Sequence, residues 1–252
     1  MTAARIRGRF EQAQSSARAA GQNLPMDLLD FARGPALSIA VAVFLLGSAW
    51  RLAHALRRPR RPDLSPPREG AASDAAAAGR AIVRGLWPRR GVARAHRGQA
   101  LNAYVYHVGL ALVVFGYAPH IAFVRRTLGV GWPALPDMAM YVAAGTTFVS
   151  LLAALWFRLS DPVRRLISNA DDWVSWGVTF LPMFTGMAVL IEPSARILAD
   201  GNPLFRGPVA LHLASFLLLL VWFPFGKLMH AVFFAFARGA TGIRFGRRGV
   251  AS

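Results

Sequence analysis

Cysteine is absent from the 252 residues. The chain therefore forms no disulfide, holds no iron–sulfur cluster through thiolates and offers no CxxCH site for covalent haem attachment. Acidic residues are scarce, 12 against 29 Lys plus Arg, and the formal charge is +17. Lysine is nearly missing as well, since Lys227 is the only one. No Ser/His/Asp set, phosphate-binding loop or pair of carboxylates within an apolar run is present, which removes the commoner hydrolytic and phosphoryl-transfer chemistries. A soluble protein with this charge would suggest nucleic acid, but no base-stacking or groove-reading motif accompanies it.

What the chain does have is apolar length. Hydrophobic residues make up 55% of it, in runs longer than a soluble helix needs, so the expected class is an all-α, multi-pass membrane protein of the bacterial inner membrane. Five spans are expected, at about Pro35–Leu56, Leu101–Val124, Met138–Phe157, Trp173–Ile191 and Pro208–Ala237. A polar tail, residues 1–34, precedes this 35–237 membrane domain, with a possible surface helix over 3–20, and a basic tail, 238–252, follows it. A basic connection, 57–100, separates the first two spans. Within it Ser73 and Asp74 are suited to start a short helix whose arginines and Trp87 fit a membrane surface or a docked partner. Twenty Lys and Arg fall on one side of the five spans and nine on the other. That asymmetry puts the N-terminus outside and the C-terminus in the cytoplasm.

Histidines within apolar runs are costly and usually face a bundle interior. The last segment reads as one long helix carrying His212 and His230, whose spacing of five whole turns places them on a shared face near opposite leaflets. The second segment holds His107 and His120 and runs the opposite way. His107 therefore matches His230 in depth, and His120 matches His212. Neutral imidazole is a standard axial ligand of haem iron, and this is the arrangement of a two-haem membrane cytochrome b. Gly109 and Gly116 offer small positions for a macrocycle to approach, or ordinary helix packing. On an ideal helix His120 points about 140° away from His107. A kink at Pro119 is expected to turn it inward; otherwise Tyr117 faces the outer site. His54 reads as an interfacial residue.

The segments VAVFLLGSAWR (41–51), HVGLALVVFG (107–116), DMAMYVAAG (137–145), LSDPVRRLISNADD (159–172) and LHLASFLLLLVWFPFGKLMH (211–230) resemble the gamma subunit, or membrane cytochrome b, of respiratory nitrate reductases and its relatives. The resemblance implies two haems b between the second and fifth helices and quinol oxidation near the outer haem. It also implies electron delivery through the inner haem to an iron–sulfur subunit and a cytoplasmic catalytic subunit. His107, His212 and His230 match three of the four family ligand positions, while Tyr117 stands at the fourth, leaving His120 as the alternative outer ligand. The family's quinol-site lysine before the third helix has no counterpart in Leu135, Pro136 and Asp137. Lys227 is a candidate contact for an inner-haem propionate, with Arg238 and Arg244 beside it. The expectation is thus a haem b anchor subunit working with the quinone pool and membrane lipid, not nucleic acid. A single-haem subunit of a sulfur-cycle or heterodisulfide-reductase-like complex is the alternative, and a haem-free scaffold or transporter represents a different class.

Overall fold

The computed structural model describes residues 27–58, 66–87, 96–190 and 203–250. The expected surface helix at 3–20, the arginine-rich residues 59–65 and 88–95, and Arg196 lie outside the described residues. Within them the chain is helical throughout, with no strand. The elements are α1 (Leu28–Arg33), α2 (Pro35–Arg57), α3 (Asp74–Gly85), α4 (Arg97–Gly116), α5 (Ala118–Leu128), α6 (Asp137–Ser160), α7 (Pro162–Ile167), α8 (Ala170–Leu190), α9 (Pro203–Trp222) and α10 (His230–Arg247). A single 3₁₀ turn, Lys227–Met229, precedes α10.

Three helical stretches are long and apolar enough to cross a membrane: Leu28–Arg57, α4 and α6. The first begins before the expected Pro35. Asp27 caps α1 by accepting from the Asp30 amide at 2.9 Å, and Leu29 and Ala32 are buried where α1 packs on α9. Hence part of the supposed polar tail belongs to the apolar body.

Two of the expected spans are interrupted near a proline, the second where a kink at Pro119 was expected and the last where one straight helix was expected. The expected second span stops at Gly116 and resumes as α5, with Tyr117 extended between them. Pro119 has no N–H, so the carbonyl of Phe115, four residues back, loses its helical donor. The indole of Trp132 donates to it at 2.5 Å, and the Leu135 amide donates to the Gly116 carbonyl at 2.9 Å. The connection 129–136 therefore folds back to satisfy the freed backbone.

The last apolar segment is also not one helix. α9 ends at Trp222, Pro224 lies in the break, and the two parts meet at 74°. This corrects the expectation of His212 and His230 on one face of a straight rod. Beyond the break, α10 continues through Arg238 and Arg244 to Arg247, so the segment expected as a basic tail begins as helix.

Small residues mediate the helix contacts while large apolar side chains such as Leu46, Trp50 and Trp156 face outward. That is the distribution expected where the surroundings are as apolar as the side chains. α4 packs on α6, α8 on α9 and more lightly on α6, α9 on α1 and α2, and α10 on α3. At the α4–α6 crossing a Cβ on Gly109 would sit 2.1 Å from Thr147 Oγ1. Higher up, Asn102 and Ser150 hydrogen-bond reciprocally at 2.8–3.0 Å. Gly116 is filled in the same way by Leu135 and Met140. These two glycines serve helix packing, the second of the two roles open to them in the sequence.

α3 begins as expected, with Ser73 Oγ accepting from the Ala76 amide at 3.3 Å. Ala77 and Ala81 lie against Gly242 and Gly246 of α10, and Arg247 forks onto Asp74 at 2.6 and 3.0 Å. Hydrogen bonding by Arg247 holds the Asp74 carboxyl below the usual carboxylate range.

Gly109→Ala is expected to destabilise the fold by about 1–3 kcal/mol through overpacking, and Thr147→Ala in the same chain to recover most of the loss; detergent-driven unfolding measures both. Because the Asp74 pKa is depressed, its contribution is present at neutral pH and disappears as pH falls below about 4. Limited proteolysis of the α3 segment should therefore accelerate in acid, and Asp74→Asn should show the faster cleavage already at pH 7.

Candidate functional site: two histidine pairs

Four of the six histidines meet in two pairs. His107 lies in the middle of α4, where its Nδ1 is 2.7 Å from the Ala103 carbonyl one turn back. His230 is the first residue of α10, and its Nδ1 is 2.9 Å from the Lys227 carbonyl. The two ring centres are 6.2 Å apart, with their planes crossed at 87°. Both rings are exposed.

His120 sits in the first turn of α5. The break at Tyr117 reorients it from its ideal-helix direction, and its Nδ1 lies 3.1 Å from the Val113 carbonyl. His212 of α9 lies opposite, also with a ring separation of 6.2 Å, but here the planes are nearly parallel at 15°. Its Nδ1 is 3.2 Å from Thr185 Oγ1. That hydroxyl donates to the Leu181 carbonyl at 2.7 Å, so it is left to accept from the ring. Ser215 Oγ stands 3.0 Å from Thr185 Oγ1 and donates to the His212 carbonyl at 2.6 Å. Gly186 makes room for the ring, since a Cβ there would be 3.1 Å from His212 Cε1.

In all four residues Nδ1 is the nitrogen engaged with a neighbouring acceptor, which fixes the tautomer with Nδ1 protonated and leaves Nε2 as the basic lone pair. Histidines that ligate a metal are commonly held in this way, the far nitrogen donating to an acceptor that orients the ring. One metal ion bound by two opposed imidazoles places the ring centres about 6.3 Å apart, from two bonds of about 2.0–2.1 Å and about 1.1 Å within each ring. Both pairs have that separation. Opposed Nε2 atoms at this spacing would be about 4 Å apart, beyond the roughly 2.7–3.2 Å of a hydrogen bond. Among the described residues no group of three or more His, Asp or Glu gathers. Two imidazoles at this ring spacing, each with Nε2 left as the lone pair, are a donor set that fits haem, a planar cofactor that brings its own equatorial ligands.

Tyr117 touches His120 edge-on, with ring centres 5.1 Å apart. Tyr106 stands in the same relation to His107 at 5.1 Å. Lys227 Nζ is engaged by Asp172 at 2.5 Å and by Asn169 at 3.3 Å, so its charge already has a carboxylate partner. Arg238 lies over the Phe234 ring and along Gly85. His54 stacks on Trp50 and His96 precedes the first turn of α4; neither joins a pair. Reasoning from the sequence passed over Thr185, Gly186 and Ser215. The available signal was the polar, small TG pair in the otherwise apolar LPMFTGMAVL.

No family model matches the chain. It is similar to a protein of Nitratidesulfovibrio vulgaris whose name specifies no activity, 27% identical over 143 residues, covering 56% of this chain and 58% of that one. It is also similar to glycerol kinases of Saccharolobus islandicus and Saccharolobus solfataricus, 33% identical over 97 residues, which cover 35% of this chain and 19% of theirs. The chain thus spans less than two thirds of the length of these relatives.

Thr185→Val keeps the shape of the side chain but removes the acceptor for His212. Weakening the hydrogen bonding of this half-buried ring is expected to cost about 0.5–1.5 kcal/mol in detergent unfolding, with little change for the similarly conservative Thr241→Val on α10.

Proposed function

We propose that this chain is the haem b-containing membrane anchor of an oxidoreductase complex, transferring electrons between the quinone pool and an iron–sulfur or catalytic subunit at the cytoplasmic face. The observation that supports the reading is the recurrence of one ring spacing: two histidine pairs at 6.2 Å, each ring held through Nδ1. A single such pair could arise from packing; two at the same spacing argue for a common occupant. The family resemblance supplies the rest of the assignment.

In this reading the bundle has five spans, α1–α2, α4–α5, α6, α8 and α9, in the bacterial inner membrane. The twenty-to-nine distribution of Lys and Arg puts the N-terminus outside and α3 and α10 at the cytoplasmic surface. His107 and His230 would hold an inner haem b, and His120 and His212 an outer one. When bound, haem supplies reversible one-electron transfer. The chain's own contribution is orientation and environment. Ala103, Lys227, Val113 and Thr185 each fix one imidazole and raise its basicity as a ligand by accepting from Nδ1–H. The half-buried outer rings are shielded more than the exposed inner ones. Tyr117, edge-on to His120 with ring centres 5.1 Å apart, would border a quinol bound at the outer site. The exposed arginines Arg80 and Arg84 of α3 and Arg244 of α10 suit lipid phosphates or an acidic partner subunit. The glycerol kinase likeness adds no residue to the histidine pairs and no argument for phosphoryl transfer.

The test is a pyridine haemochrome assay with reduced-minus-oxidised spectra on the purified full chain. Two haems b per chain are expected, falling to one in His120→Ala and to one in His107→Ala, with both kept in Tyr117→Phe. Failure of the wild-type chain to carry haem after expression with haem supplied would overturn the reading and leave a haem-free scaffold or transporter in its place.

A further inference from the structure

The joint between α9 and α10 is held from two sides. Pro224 is almost wholly buried and wedged against α2, where a Cβ on Gly47 would be 2.8 Å from its ring. Arg51, also on α2, reaches the Phe225 carbonyl at 3.4 Å. From the other side comes the first turn of α8. Asp171 Oδ1 accepts from the Lys227 amide at 3.3 Å and from Ser175 Oγ at 2.9 Å, and Ser175 in turn accepts from the Trp222 indole at 3.2 Å. Asp172 binds Lys227 Nζ at 2.5 Å and Arg158 at 3.1 Å. Arg158 is itself tied to Ser168 Oγ at 2.7 Å. The Lys227 carbonyl then receives His230 Nδ1 at 2.9 Å.

From these contacts, and resting on the haem reading above, we infer that Asp171, Asp172 and Lys227 are positioning residues: a clasp that holds the His230 ring plane crosswise to that of His107. The clasp grips Lys227 at both ends of the residue, by its backbone amide and by its ammonium, leaving the intervening carbonyl a fixed point. An imidazole bonded to that point loses rotation about its own axis. Its partner is anchored independently, on the Ala103 carbonyl of α4. The relative angle of the two planes, 87°, is therefore set by two separate pieces of backbone. Among the described residues His212 is supported differently, on the Thr185 hydroxyl of α8, and its ring lies at 15° to that of His120.

Ring planes decide a measurable electronic property. Two axial imidazoles crossed at a right angle affect the two iron d orbitals that face them equally and leave those orbitals close in energy. Parallel planes separate them. Low-spin ferric haem with crossed planes gives one strongly anisotropic electron paramagnetic resonance feature, whereas parallel planes give a resolved rhombic spectrum.

The experiment uses the full-length haem-loaded chain, comparing wild type with Lys227→Met and Asp172→Asn. Wild type is expected to show one signal of each kind. Lys227→Met keeps the length and apolar body of the side chain, and the Asn169–Asp172 hydrogen bonds that start α8 stay intact. In this variant the anisotropic signal should move toward the rhombic form and the inner midpoint potential should shift, with the outer signal and potential unchanged. Asp172→Asn should produce the same change, and the double variant no more than either alone. If Lys227→Met fails to fold or to keep the inner haem, Asp172→Asn decides alone. Variants that lose thermal stability while both signals and both potentials stay put would overturn the positioning role and leave the cytochrome reading standing, as would two rhombic signals in wild type. Absence of haem from wild type would overturn both.

Discussion

Backbone groups in an apolar setting have no water to bond, so every carbonyl released from a helix must find a donor within the chain. The architecture follows from how that requirement is met at two prolines. Pro119 and Pro224 each interrupt an apolar segment, and each is followed within six residues by a histidine in the first turn of the next helix, His120 and His230. The released groups are taken by side chains and loops that hold the breaks in one form: Trp132 and Leu135 at the first, Arg51 and Asp171 at the second. In both cases the histidine itself bonds a carbonyl at the break, Val113 or Lys227. The breaks are thus what aim two of the four rings.

The sequence allowed the all-helical class, the existence of the apolar spans and the start of α3 at Ser73 to be read, because apolar runs and N-cap chemistry are local signals. It also suggested which histidines share a depth, since depth depends only on residue counts along antiparallel segments. Ring direction was harder to read. Pro119 pointed to a reorientation of His120 because its spacing from His107 was visibly out of phase. The spacing of His212 and His230 was in phase, and that agreement concealed the break at Pro224. A coincidence of five turns carries no information once the helix between them is cut.

Other features were illegible for a different reason: they depend on neighbours that sequence order does not reveal. Gly109 could have faced a cofactor or a helix, and only its contact with Thr147 of α6 decides. Lys227 read as a candidate propionate contact, and nothing in the order of residues showed that Asp172, 55 residues earlier, binds its ammonium. Thr185 and Gly186 were indistinguishable from ordinary small residues of a span before His212 came to rest against them.

α10 begins at His230 itself, with no flexible residue between the ring and the helix that packs on α3. Such a helix is a lever with the imidazole at its fulcrum. Its 18 residues make an arm of about 27 Å. A displacement of about 2 Å at the Arg247 end is then a rotation of about 4° at the histidine. The far end is tied to α3 through Asp74 and through the Arg68 amide, which donates to the Arg247 carbonyl at 2.8 Å. Whatever presses on that corner of the molecule therefore exerts a torque on the ring, and the surface and the site are mechanically one part.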